Sequence, residues 1–128
     1  MDTEAVIMTV CITTATTEPG ARMDARFGRS PYFTFVETDS GEVTIEENPF
    51  AGGSSGVGAR VGQFVAEHGT RALITAQVGP SAHAVLEAAG IDAYVSHAET
   101  VHDALAEFTE GKLERIVEPS DAKHSGRS

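Results

Sequence analysis

The chain has few of the residues that build disulfides, thiolate metal sites and polyanion-binding surfaces. It contains one cysteine and no tryptophan, and 19 Asp and Glu residues outnumber 9 Lys and Arg, for a formal net charge of −10. A single cysteine excludes an internal disulfide framework and any CxxC metal or redox motif. The shortage of positive charge argues against non-specific binding to nucleic acid or to an anionic membrane, because both need a broad basic face.

Long apolar runs are also missing. No stretch approaches the roughly 20 apolar residues that a membrane-spanning helix needs. The short apolar run at residues 5–12 follows Asp2 and Glu4 rather than basic residues, unlike a secretory signal, so we expect a cytoplasmic protein. A hydrophobic content of 41% is typical of a folded domain. We expect one domain at residues 1–117 and a polar, flexible tail at 118–128.

The spacing of apolar residues predicts an α/β domain. Alternating or continuous apolar runs predict strands at residues 5–13, 32–38, 42–48, 72–76 and 91–96. Amphipathic stripes predict three helices, which begin near Val57, Pro80 and Thr100 and end at Gly69, Gly90 and Gly111. In the second helix we expect Ala82, Val85, Leu86 and Ala89 to face inward. After the third helix, Leu113, Ile116 and Val117 are expected to pack back onto the domain.

The order of these elements predicts a mixed five-stranded sheet. Residues 5–13 form the most apolar strand and should be central, and alternating β and α units favour parallel neighbours. We expect strand order 3-2-1-4-5 with strand 2 antiparallel, which is a ribonuclease H-like three-layer arrangement. The carboxyl ends of strands 1, 3, 4 and 5 and the start of strand 2 then meet at one edge, which we call the rim. Ligands of open α/β sheets bind at such an edge.

Positive charge is concentrated next to the first strand, in the segment that we call the arginine loop (residues 22–30). Arg22, Arg26 and Arg29 are three of the nine basic residues. They are either paired locally with carboxylates such as that of Asp24, or available to bind an anion at the rim. Arg26, framed by Asp24 and Gly28, is the best candidate for an anion-binding side chain, and Phe27 is expected to anchor the loop in the core.

A glycine-rich segment precedes the first helix. It lacks the Gly-Lys-Ser/Thr ending of a phosphate-binding P-loop, because Gly58 is followed by Ala59 and Arg60, and it misses the dinucleotide-binding spacing by one residue. Glycine before a helix still leaves backbone N–H groups free to bind an anion. The candidate binding residues are Gly53, Ser54, Ser55 and Gly56. The alternative is a mobile linker.

Three side chains are candidate soft ligands for a metal cluster. His83 and His97 lie near the predicted rim, and Cys11 lies in the central strand. Each has a simpler explanation, since a cysteine in a central strand is usually an inert buried thiol. His68 and His102 are expected to be solvated. No Ser-His-Asp set is evident and residues 6–12 contain no carboxylate for a catalytic magnesium, so we expect no enzyme activity.

The segment Asp24-Ala25-Arg26-Phe27-Gly28-Arg29-Ser30-Pro31-Tyr32-Phe33 resembles a motif of the dinitrogenase iron–molybdenum cofactor biosynthesis family. That family includes NifX, the cofactor-carrying part of NafY and the C-terminal domain of NifB. Supporting similarities are Glu47-Asn48-Pro49, Val78-Gly79-Pro80-Ser81-Ala82, Ala88-Ala89-Gly90-Ile91, Thr100-Val101 and Gly111-Lys112-Leu113. The resemblance implies a ribonuclease H-like fold without nuclease activity and a carrier of iron–sulfur–molybdenum clusters. At position 83, where relatives often have an aromatic residue, this chain has histidine.

Two functions from different classes follow. The first is a non-enzymatic carrier or chaperone that binds an anionic iron–sulfur or iron–molybdenum-type cluster, or its precursor, through labile contacts during cofactor assembly for nitrogen fixation. The second is a metal-free adaptor that docks a protein partner such as a MinD-type ATPase, which some relatives accompany. A small hydrolase or nucleotide binder is disfavoured because no catalytic set or phosphate motif is complete.

Overall fold

The central strand of the sheet is buried along its whole length. The computed structural model describes residues 8–17, 21–50 and 57–119. Within them, the strands are β1 (Thr9–Thr14), β2 (Tyr32–Glu37), β3 (Val43–Glu47), β4 (Thr70–Thr75), β5 (Asp92–Val95) and β6 (Glu114–Arg115), and the helices are α1 (Val57–Glu67), α2 (Pro80–Ala88) and α3 (Val101–Thr109). No helix of this part of the chain is long and apolar enough to cross a membrane.

The strands form a mixed sheet in the order β3-β2-β1-β4-β5-β6. β1 pairs antiparallel with β2 and parallel with β4, and β4 pairs parallel with β5. The predicted order 3-2-1-4-5 is therefore confirmed. Parallel β1, β4 and β5 end at the same edge, which makes the rim a real feature of the fold. Residues 5–7 of the predicted first strand lie outside the described residues.

The sixth strand, β6, was not predicted from the sequence. It is two residues long and exposed, and it pairs antiparallel with β5 through Tyr94 and Val95. Its position is stabilised by a hydrogen bond that the Ile116 N–H donates to the Ala93 carbonyl at 2.7 Å. So short a strand has no periodicity, and only pairing with a distant segment defines it. Leu113 and Ile116 pack back as expected, whereas the expectation for Val117 is wrong because that side chain is 68% exposed.

The helices cover the two faces of the sheet unequally. α1 and α2 pack over the face that carries Cys11, Phe33 and Leu73, whereas α3 packs over the face of Val10 and Ile12. The predicted helix ends are confirmed by the positive φ angles of the glycines that follow, at 77° for Gly69, 77° for Gly90 and 73° for Gly111. The inward orientation predicted for Ala89 is wrong, because α2 ends at Ala88 and Ala89 is an exposed cap residue.

Candidate functional site

The arginine loop is attached to the ends of β1 and β4. The Asp24 N–H donates to the Thr13 carbonyl at 3.0 Å, and the Thr13 hydroxyl donates back to the Asp24 carbonyl. The same hydroxyl lies 3.0 Å from that of Thr75, the last residue of β4. Because Thr13 and Thr75 are fully buried, the backbone of Asp24 is held by the sheet rather than by solvent-exposed contacts.

Further along the arginine loop, the backbone of residues 25–27 bonds to the segment that follows β4. The Gln77 N–H donates to the Ala25 carbonyl at 2.8 Å, and the Phe27 N–H donates to the Gln77 carbonyl at 3.1 Å. The Phe27 side chain is 1% exposed, and its ring centroid lies 5.9 Å from that of Phe33. The prediction that Phe27 anchors the loop in the core is therefore confirmed.

The other end of the loop lies between β1 and the start of α3. The Ala15 N–H donates to the Arg22 carbonyl at 2.8 Å, and the Met23 N–H donates to the Glu99 carbonyl at 2.9 Å. The first N–H of α3, that of Val101, donates to the Ala21 carbonyl at 2.9 Å. Residues 21–27 thus connect the carboxyl end of β1 with both the segment after β4 and the segment after β5.

Two buried polar residues hold the last part of the arginine loop. Neither was among the predicted site residues. The Ser30 hydroxyl oxygen accepts from the Thr14 N–H at 2.9 Å, and the hydroxyl donates to the Tyr32 carbonyl at 2.7 Å. The Asn48 amide donates to the carbonyls of Gly28 and Ser30, at 3.2 Å and 2.8 Å. Both residues precede a proline, and small polar side chains at such positions commonly bond neighbouring backbone. A small polar residue directly before a proline is therefore the sequence signal that could have identified Ser30 and Asn48.

Arg26 is exposed, but its guanidinium is held in one orientation by Asp24. Asp24 Oδ1 accepts from the Arg26 backbone N–H at 2.8 Å and from Nε at 3.3 Å, and Oδ2 accepts from Nη2 at 3.3 Å. The hydrogen bond and the charge of Asp24 raise the pKa of Arg26 above its ordinary value. The Arg26 side chain is 57% exposed and that of Asp24 only 11%. The remaining N–H groups of the guanidinium are therefore available at the surface of the rim. Arg29, a further predicted site residue, is also exposed.

The start of α1 lies directly against the arginine loop. A side chain at Gly28 would contact Val57 Cγ1 and Gly58 Cα at 3.8 Å, and one at Gly58 would lie 3.3 Å from Ala82 in the first turn of α2. The arginine loop thus meets the start of α1. The candidate residues Gly53, Ser54, Ser55 and Gly56 lie outside the described residues.

The two candidate histidines are not brought together. His83 lines a groove of about 400 Å³ between α2 and the β5–β6 edge, together with Leu86, Asp92 and Arg115. His97 is exposed and lines a different depression beside Glu107 of α3. Of the other two, His102 is exposed as expected, and His68 is exposed but stacks on Phe35 with ring centroids 4.5 Å apart.

Cys11 belongs to the hydrophobic core. Its side chain is fully buried, and burial raises the pKa of the thiol well above its ordinary value. The thiol therefore stays protonated, whereas a metal ligand must be a thiolate. Among the described residues, no group of three or more His, Cys, Asp and Glu side chains is arranged to hold a metal ion. What the described part of the rim provides is exposed arginine, whose guanidinium N–H groups are hydrogen-bond donors.

Known proteins resemble the chain over most of its length. An uncharacterised protein of Methanocaldococcus jannaschii is 35% identical over 98 residues, which cover 74% of this chain and 83% of that protein. The apo form of the orange protein of Desulfovibrio gigas superposes with a TM-score of 0.85 at 27% identity, covering 92% of this chain and all of that one. A putative NifB protein from Thermotoga gives a TM-score of 0.80 at 32% identity over 89% of this chain and 97% of its own. The family model described as dinitrogenase iron-molybdenum cofactor matches residues 8–111. The chain therefore belongs to the dinitrogenase iron-molybdenum cofactor family.

Proposed function

We propose that this protein is a non-enzymatic carrier that binds an anionic iron–sulfur or iron–molybdenum-type cluster, or its precursor, at the rim. Membership of the cofactor family supports a role in cofactor binding or assembly. The observation that carries the site is the exposed Arg26 guanidinium held by Asp24 at the carboxyl ends of β1 and β4. In a chain of net charge −10, an exposed arginine at the ligand-binding edge of the sheet is the natural partner of an anion.

The contacts of this site suit a cargo that must be released. Arg26 and Arg29 would bind the cluster through charge and hydrogen bonds, and we propose the backbone N–H groups of residues 53–56 as further donors. Hydrogen bonds to exposed groups are exchangeable, unlike coordination by several cysteine thiolates. His83 lines the groove of Asp92 and Arg115 and not the arginine loop, so we propose His97, which follows the end of β5 at the rim, as the labile ligand. Buried Cys11 is left out of the proposal.

Anaerobic reconstitution with iron, sulfide and molybdate, followed by desalting and metal analysis, tests the carrier function. We expect the wild type to retain metal and Arg26→Ala to retain much less. Arg115→Ala is the matched control, because Arg115 is 58% exposed and lies 3.5 Å from Asp92 at the other end of the sheet. A wild type that retains neither iron nor molybdenum would contradict the proposal. Equal retention of metal by Arg26→Ala and Arg115→Ala would contradict the assignment of Arg26 to the binding site.

A metal-free adaptor is the second candidate. The exposed apolar side chains of the β3 edge, Val43 and Ile45, favour a docking role, since sheet edges readily pair with other chains. Membership of the family supports cluster-assembly proteins as partners but gives no support to a MinD-type ATPase. The colour and metal content of anaerobically purified protein distinguish the two candidates: a colourless, metal-free protein that co-purifies with a partner would favour the adaptor.

A further inference from the structure

We propose that Asp24 is the positioning residue of the rim, which orients the Arg26 guanidinium toward the bound anion instead of simply neutralising it. The inference rests on the proposed function, and it assigns to a negatively charged side chain a favourable role in binding an anion. Asp24 and Arg26 are two residues apart, and three N–H donors of Arg26, those of the backbone, Nε and Nη2, lie within 3.3 Å of the Asp24 carboxylate oxygens.

The position of Asp24 is determined by the sheet. Its N–H donates to Thr13 and its carbonyl accepts from the same residue, so both sides of its peptide backbone are bonded to the end of β1. Thr13 is in turn next to Thr75 at the end of β4, with 3.0 Å between their hydroxyl oxygens. The Asp24 side chain is only 11% exposed, so its carboxylate has little freedom to follow a moving arginine. The arginine instead adopts the orientation that the carboxylate allows.

The pairing leaves a specific part of the guanidinium for a ligand. Nε and one hydrogen of Nη2 point toward Asp24. An arginine carries five N–H donors in a rigid planar fork, so the donors on Nη1 and the second hydrogen of Nη2 remain for the anion. Fixing the fork before binding removes the loss of side-chain entropy that a free arginine would suffer on binding.

The direction in which Asp24→Asn changes anion binding distinguishes an Asp24 that orients Arg26 from one that only neutralises its charge. Asp24→Asn removes a negative charge beside the proposed anion site, and charge alone would tighten the binding of an anion. Asparagine keeps one oxygen, which can accept from the Arg26 backbone N–H and from Nε as Oδ1 does, so the turn is retained. It loses the charge and the Oδ2 acceptor of Nη2, so the two-point pairing that fixes the guanidinium is lost. If Asp24 orients Arg26, binding weakens despite the more favourable charge.

Tetrathiomolybdate, a molybdenum–sulfur dianion that absorbs visible light, is the probe. We expect Asp24→Asn to weaken its binding about fivefold, the cost of immobilising one free arginine side chain. In an Arg26→Ala background the same substitution should have no weakening effect, because Asp24 then has nothing to orient. Asp92→Asn, which removes the same charge from the pair with Arg115, is the matched control and should leave binding unchanged. Thermal unfolding of each variant checks that the fold is retained.

A second measurement does not depend on cargo. In nuclear magnetic resonance spectra of isotope-labelled protein, the Nε–H of Arg26 should exchange with water more slowly in the wild type than in Asp24→Asn, while the Nε–H of Arg115 is unaffected. Unchanged or tighter probe binding by Asp24→Asn, or equal exchange rates in the two proteins, would overturn the positioning role. A wild type that binds no probe would contradict the proposed function itself, and the exchange rates would then still report whether Asp24 orients Arg26.

Discussion

Two exposed arginines, each beside an aspartate, occupy opposite regions of this molecule. At the rim, Arg26 is 57% exposed and Nη2 lies 3.3 Å from Asp24; at the β5–β6 edge, Arg115 is 58% exposed and Nη2 lies 3.5 Å from Asp92. The arginines are nearly equivalent, but the aspartates are not. Asp24 is 11% exposed and Asp92 is 52% exposed.

The difference lies in what supports each pair. Asp24 is bonded through its backbone to Thr13 at the end of the central strand, and the part of the arginine loop that follows Asp24 is anchored by buried Phe27 and Ser30. Arg115 belongs to an exposed two-residue strand at the edge of the sheet, and Val117, two residues further on, is also exposed. An ion pair on an unsupported edge contributes little, whereas one built on a rigid element can hold a side chain in a defined direction.

The largest expected difference between the two regions concerns their apolar anchors. Phe27→Ala removes a ring that is 1% exposed and packs against Phe33, and should lower the free energy of unfolding by about 3–5 kcal/mol. Val117→Ala, at a position that is 68% exposed beside Arg115, should change it by less than about 0.5 kcal/mol. Urea unfolding monitored by circular dichroism measures both. Similar losses in the two variants would remove the contrast between an anchored and an unanchored region.

A smaller effect is expected from the buried hydroxyl of the arginine loop. Ser30→Ala leaves the buried Thr14 N–H without its acceptor, and should lower the free energy of unfolding by about 1–3 kcal/mol. Ser40→Ala is the control, since its hydroxyl also accepts a backbone N–H, that of Glu42 at 3.1 Å, but in an exposed turn. The same unfolding experiment should show a loss for Ser40→Ala well below that for Ser30→Ala. A reversed order would contradict the structural role assigned to Ser30.

The smallest effect is expected from the arginines themselves. Because both side chains are more than half exposed and their ion pairs are screened by water, Arg26→Ala and Arg115→Ala should each change the free energy of unfolding by less than about 1 kcal/mol. If both variants change the free energy of unfolding by equally small amounts, a loss of metal that is seen only in Arg26→Ala reflects binding and not stability. A loss above about 2 kcal/mol in Arg26→Ala, outside the range of exposed pairs, would instead make Arg26 a structural residue.

The fold was largely predictable because its elements have local signals. The buried run at β1 identified the central strand, and the glycines that end the three helices were identified correctly. The site was predictable in part: the arginine loop does lie at the end of β1, beside the start of α1. The sequence could not show that His83 and His97 lie in different places, because each follows a strand that ends at the rim. Their different depressions depend on which helix covers which face.

By itself, the sequence determined the order of the sheet, the limits of the helices and the concentration of arginine in one loop of an acidic chain. These follow from periodicity and residue type, which act over a few neighbouring positions. Only the tertiary structure decided that β6 forms, that Ser30 and Asn48 hold the loop, and that Asp24 is buried enough to orient Arg26 while Asp92 is not. Burial and hydrogen bonding of a polar side chain depend on segments distant in sequence, so two similar Asp–Arg pairs become different only when the chain has folded.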